Sequence, residues 1–196
     1  MASKLSIINM ALLEIGEGPL TNTLDDSSAA NATQAIYEDC VDETLRMHSW
    51  NCATKRATLA TVSGVPLWGS GTAYQLPTDC IKVVEVAGFT AWKIEGRMLY
   101  LPSGGSPAIA YVYKMSDESL MDPLLRRAIA MRLASGVAVR LKGSQETATA
   151  CFRKWQDAIA EAIHKDAVEG NIDRVWPMEF VAAHETGFMS VPGGTE

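Results

Sequence analysis

Apolar residues recur along this chain at two different periods, and the switch between them divides it into a helical start, a β-rich middle and a helical end. Leu5, Ile8, Leu12 and Ile15 follow 3-4-3 spacing with Ala11 on the same stripe, which predicts a helix over 4–15. Gly16 and Gly18-Pro19 stop it. The polar loop TNTLDDSS then offers Asp and Ser side chains suited to cap the next helix. That second helix is predicted from about Ser28 to Ser49. Ala29, Ala32, Ile36, Cys40, Leu45 and His48 mark its apolar face, thickened by Tyr37, Val41 and Thr44. Glu38, Asp39, Asp42 and Glu43 take the wet side.

Between residues 51 and 114, Pro66, Pro77, Pro102 and Pro107 and a scatter of glycines exclude a continuous helix. Short β-compatible runs lie between them: 57–62, 73–76, 81–87, 90–94, 98–101 and 108–114. AWKIEGRMLYL reads as a hairpin about Glu95-Gly96-Arg97. In the last run Ile109, Tyr111 and Tyr113 face one way and Ala110, Val112 and Lys114 the other.

The helical period returns at Asp122-Pro123, where a proline in the first helical position sacrifices no hydrogen bond. Leu125, Ile129, Leu133, Gly136 or Val137, and Val139 to Leu141 predict the buried stripe of a third helix, ended by Lys142-Gly143. A fourth opens at Ser144. Ala148, Cys151, Trp155, Ala158 or Ile159, and Ala162 form its apolar face, flanked by Phe152 and Ile163. The expected fold is mainly α with a β insert (α+β). A four-helix bundle-like body comes from 1–50 and 120–168, a small antiparallel sheet is inserted between helices two and three over 51–119, and an extended C-terminal arm covers 169–196.

That arm carries five acidic residues against one basic, yet also Trp176, Met178, Phe180, Phe188 and Met189. Large apolar side chains of this kind need either the body of the chain or a neighbouring protein to cover them. Trp68, in the Gly/Pro-rich VPLWGSG loop, is a further candidate contact residue.

Composition narrows the classes. With 196 residues the chain is long enough to bury a core without metal or disulfide staples. Its net charge of -6 disfavours a general DNA-backbone-binding surface. The four cysteines, Cys40, Cys52, Cys80 and Cys151, show no CxxC spacing, and Cys40 and Cys151 fall on apolar helical faces, so a reducing compartment is the simpler reading. The opening MASKLSIINMALLEIGEG is interrupted by Glu14 and reads as helix rather than export leader. No run approaches the roughly 20 apolar residues that span a bilayer.

Candidate chemistry is sparse. Phosphate-loop, dinucleotide, zinc-protease and nucleophile-elbow motifs are all missing from the sequence. His48 and Cys52 are four apart, but a tetrahedral metal site needs more ligands, so no metal or cofactor is expected and His48 reads as a helix-end hydrogen-bonding residue. The paired carboxylates Asp25-Asp26, Glu38-Asp39 and Asp42-Glu43 are raw material for acid–base work, the one basis for a small-hydrolase reading, but sit in a capping loop and on a wet helix face. Lys55-Arg56, Arg126-Arg127 and Arg153-Lys154 are short basic pairs. Arg126, Arg127 and Arg153 are candidates for contact with a neighbouring subunit or a tail protein.

Several segments, taken in order, resemble one family. These are ALLEIGEGPL with its Asp/Ser loop, LRMHSWNCATKRATLA, YQLPTDCIKVVEV, WKIEGRMLY, AYVYK and MDPLLRRAIAMRLASGVAVRLKGS. Together they are similar to the head-to-tail adaptors of short-tailed bacteriophages, the tail tubular protein A or gatekeeper connectors. The chain departs from the family at Tyr74-Gln75-Leu76, where a basic residue often precedes the leucine, and at Cys52, where a larger apolar residue is usual.

The resemblance implies a non-enzymatic virion protein at the portal vertex, assembled in the host cytoplasm into a ring of about twelve copies. Its partners would be the portal protein above, a tail nozzle or tail tube protein below, and itself. Genomic DNA would pass through without sequence-specific binding, and an acidic conduit suits that passage because it does not grip phosphates. Trp176, Met178, Phe180, Phe188 and Met189 would then meet portal or neighbour. The alternative is a generic helical protein-interaction module, monomeric or dimeric.

Overall fold

A computed structural model describes residues 3–22, 25–62, 71–102 and 104–169. Helix α1 (Lys4–Glu14) is capped by Ser3, whose hydroxyl accepts from the Ser6 N–H, and it buries Ile7, Ile8, Ala11 and Leu12. Beyond it, the Asn9 side chain brackets the backbone of Leu20, donating to its carbonyl at 2.9 Å and accepting from its N–H at 2.7 Å. This pair pins the connecting loop to the helix it has just left. Helix α2 (Ser28–Met47) starts on Ser27, which accepts from the Ala30 N–H, while Asp25 accepts from the Ser27 N–H. The Asp/Ser loop therefore caps the helix as its composition predicts.

α2 ends at Met47, two residues before the expected Ser49, because His48 is already extended (φ -133°, ψ 167°). The chain turns there so that Trp50 can enter the core, where it is fully buried and its indole N–H donates to the Thr44 carbonyl at 3.1 Å. A 3₁₀ turn, Asn51–Ala53, leads into the insert.

The insert is antiparallel throughout and divides into two three-stranded sheets. One has β1 (Thr54–Thr58), β6 (Ala108–Tyr113) and β3 (Cys80–Val86), with β6 central; the other has β2 (Thr72–Gln75), β5 (Met98–Leu101) and β4 (Lys93–Glu95), with β5 central. Strand β1 begins at Thr54 rather than Ala57, and β4 at Lys93 rather than Thr90. The reason for the first shift is pairing: TKRAT has no apolar face of its own, but Thr54 lies opposite Val112 and Thr58 opposite Ala108. As an edge strand it can stay mostly wet.

β6 joins the two cores of the chain. Ile109 and Tyr111 pack with Leu59, Tyr74, Val83, Val86, Leu99 and Leu101 inside the insert, whereas Val112 points into the helical core. The anticipated alternation is realised for Ile109, Tyr111 and Val112, while Tyr113 packs against both cores.

Helix α3 (Pro123–Lys142) returns to the body. Asp122 caps it, accepting from the Leu124 N–H at 2.7 Å, and Pro123 takes the first position. Gly143 ends it in a left-handed conformation (φ 65°) that permits a two-residue turn into α4 (Gln145–Glu169). α3 packs against α1, α2 and α4, so it is buried almost all round: Ala128, Ala130, Met131 and Ala134 join Leu125, Ile129 and Leu133 in the core. Val139, expected inside, is 47% exposed; it lies near the C-terminal end of α3, where Arg140 and Lys142 are exposed as well. At Gly136 a Cβ would stand 2.6 Å from the Ile36 Cδ1, so a larger residue there would require the end of the Ile36 side chain to shift.

The four helices, with an antiparallel sheet region inserted between the second and third, make the mainly helical α+β fold anticipated from periodicity. The expected arm beyond Glu169 lies outside the described residues.

Candidate functional site

Three surfaces gather candidate charged and aromatic side chains among the described residues, and each arises from a different junction in the fold. The first lies below α1. Lys4, in the first turn of α1, and the acidic face of α2 meet the insert at this point. There a cleft of about 470 Å³ opens between body and insert, lined among others by Lys4, Tyr37, Glu38, Asp79, Lys114 and Glu118. The acidic face of α2 is answered by cations: Lys4 donates to Glu38 at 3.0 Å, Lys114 reaches both Glu38 (3.4 Å) and Asp42 (3.0 Å), and Arg132 reaches Glu43 at 2.8 Å. Burial opposes ionisation of Glu38, but Lys4 and Lys114 outweigh it and hold the carboxyl below its usual value. The Tyr37 hydroxyl donates to Glu118 at 3.3 Å, and burial first, then Glu118, pushes its pKa far up. These carboxylates are matched by lysines and a tyrosine, which is the pattern of a structural network rather than of a poised acid–base pair.

The second junction joins the ends of α2 and α4. Asp166 Oδ2 accepts from His48 Nε2 at 3.0 Å, Asp166 Oδ1 accepts from the Asn51 N–H at 3.0 Å, and the Asn51 amide donates to the Asp166 carbonyl at 2.7 Å. The His48 ring meets Trp50 edge-on at 5.1 Å. Cys52 lies close enough for the Asp166 charge to act on it, so the junction holds the three residue types of a Cys–His–Asp set. The electrostatics run against it. Burial pushes the Cys52 thiol up, and the Asp166 and Asp122 carboxylates add to that against a lowering contact from the Asp122 backbone. A nucleophilic cysteine needs the opposite environment. His48 is the helix-end hydrogen-bonding residue its position predicts; what sequence did not disclose is its partner.

The third surface is the α3–α4 hairpin, where the predicted contact residues fall. Arg127 pairs with Glu161 at 3.3 Å across the hairpin. Arg126 is half-buried and Arg153 exposed, and neither side chain has a partner among the described residues. Arg153 lies eight residues before Glu161 in α4, about 12 Å along its axis, so the three arginines do not form one patch. Lys154, next to Arg153, is instead bound to Glu14 of α1. Beside them Arg132 stacks 5.6 Å from the Trp155 ring centroid, and Phe152 leans on Trp155 at 5.0 Å. Trp155 is core, as anticipated; Phe152 is 40% exposed.

Trp68, Trp176, Met178, Phe180, Phe188 and Met189 all lie outside the described residues. Among the described residues no three His, Cys, Asp or Glu side chains are grouped to hold a metal ion, and no helix is long and apolar enough to cross a membrane. No protein-family model matches the chain, and no curated protein matches it.

Proposed function

We propose that this protein is a structural, non-enzymatic head-to-tail adaptor of a short-tailed phage. It would form a ring beneath the portal that extends the DNA channel and receives the tail nozzle or tube. The observation that carries the reading is the ordered series of family-like segments, each of which falls on one element or junction of the fold. ALLEIGEGPL closes α1, LRMHSWNCATKRATLA runs from the last turn of α2 through β1, and YQLPTDCIKVVEV covers β2 and β3. WKIEGRMLY is the β4–β5 hairpin, AYVYK is β6, and MDPLLRRAIAMRLASGVAVRLKGS is α3 with its caps. A ring needs head-to-tail contacts between unlike faces of one chain. Arg126 and Arg153 on the hairpin, and Asp39 on α2, have no ion-pair partner among the described residues and offer two such faces. In this reading Trp176, Met178, Phe180, Phe188 and Met189 seat on the portal or on the adjoining copy.

A second reading, an interaction module working as monomer or dimer, is favoured by the lack of any matching family model or curated protein. Mixing the chain with its cognate portal and measuring particle mass separates the two. A complex gaining about twelve copies supports the adaptor. Monomer or dimer with portal present leaves the module.

A further inference from the structure

A groove of about 510 Å³ runs between the end of α2, strand β3 and the β4–β5 hairpin. Its lining combines three cations, Arg46, Lys82 and Arg97, with apolar surface from Leu76, Trp92 and Ile94, and includes no acidic residue. Arg46 donates to the Ile81 carbonyl at 2.7 Å, and Arg97 donates to the carbonyls of Cys80 and Pro77. Both guanidiniums are therefore held in place by neutral backbone groups, and among the described residues no carboxylate neutralises them. Glu95, the nearest acid on the hairpin, is paired with Lys93. Trp92 and Ile94 are each 38% exposed, and β4 is a sheet edge whose outer backbone groups face no other strand among the described residues. The chain thus presents a basic, partly apolar groove along an unpaired strand.

We propose that this groove seats the chain's own C-terminal segment, residues 170–196, in extended form along β4. Three observations select that occupant. Charge is complementary: the segment holds Asp173, Glu179, Glu185 and Glu196 against Arg174, a net of -3 facing three cations. Side chains are complementary, since Trp176, Met178 and Phe180 supply apolar anchors at the alternate spacing with which an added strand fills pockets. The starting point is also close. Asp166 is bonded to His48 and Asn51, so α4 ends beside the end of α2, whose Arg46 lines the groove. Twenty-seven residues reach up to about 90 Å when extended, ample for the groove of the same chain or of a second copy. The inference concerns the chain without portal; in the adaptor reading the same anchors would leave this groove for the portal or fill that of the adjoining copy.

The test is photo-crosslinking in the full-length chain with p-benzoylphenylalanine in place of Trp92, using mixed light and ¹⁵N-labelled protein to tell one copy from two. Crosslinks are expected within residues 170–196, in the same chain or in a second copy, either of which supports the proposal. Lys82→Glu should lower their yield about tenfold, as should Asp173→Lys with Glu179→Lys, while combining all three reversals restores it. Crosslinks confined to other segments, none at all, or yields indifferent to these reversals would overturn it.

Discussion

Asp166 and His48, 118 positions apart in the chain, meet at 3.0 Å and lock the last turns of α4 to the point where α2 hands over to the insert. Asp166 accepts there from the Asn51 backbone as well, so a single carboxylate holds a helix end, a helix exit and the entry to the β region.

Removing that carboxylate should therefore cost more than an average surface change. Asp166→Ala leaves the His48 ring and the Asn51 N–H without their acceptor, and a loss of about 2–3 kcal/mol is expected. Asp166→Asn, which keeps one acceptor oxygen, should lose about half as much. Urea unfolding checks this: the midpoint should fall with the slope unchanged. Equal stability of wild type and Asp166→Ala would show that the contact contributes nothing.

The close approach of α2 and α3 makes a coupled prediction. Gly136→Ala gains up to about 1 kcal/mol of helix propensity but places a methyl against Ile36. The obstructing atom is the flexible end of a side chain, so the single variant should fall within about 1 kcal/mol of wild type. Adding Ile36→Val removes that atom. The pair should then show a favourable coupling of about 0.5–1 kcal/mol in a double-mutant cycle by thermal or urea unfolding.

Acid should weaken the cleft below α1. Because the folded-state pKa of Glu38 lies below its ordinary value of 4.5, the stabilisation is present above that value and is lost as pH falls through the folded-state pKa. The Glu38 side chain is 54% exposed, so screening keeps the effect below about 1 kcal/mol. Unfolding of wild type and Glu38→Gln at pH 7 and pH 3 should show a larger lead for wild type at the higher pH, with the gap closing in 1 M salt.

Thiol chemistry should report the core directly. Cys40, Cys80 and Cys151 are buried and Cys52 is half-buried, with no disulfide among them. Burial pushes the Cys40 thiol up to about 11, so at pH 8 it is both shielded and protonated. Ellman's reagent should modify Cys52 first and Cys40 slowest in the native chain, whereas denaturant should release all four at once. Rapid native modification of four thiols would contradict this packing.

Local rules carried far along this chain because caps and periods act over neighbouring residues. Ser27, Asp122-Pro123 and Gly143 could be recognised as helix boundaries from their own chemistry, and Ile109, Tyr111 and Val112 could be assigned to opposite faces from a period of two. Trp155 was legible as core from its place on the apolar face of the fourth helix.

What sequence alone determined here is where the helices and most strands lie, which residues cap them, and which faces are apolar. What only the tertiary structure decided is who faces whom. α3 packs against three helices, which erases the single stripe a period can report, and its C-terminal end, with Val139, stays exposed. β1 is a strand because β6 lies beside it, not because TKRAT has an apolar face. The Asp166–His48 clasp and the groove of Arg46, Lys82 and Arg97 are assembled from distant segments, and no local pattern encodes a partner that the chain must fold to reach.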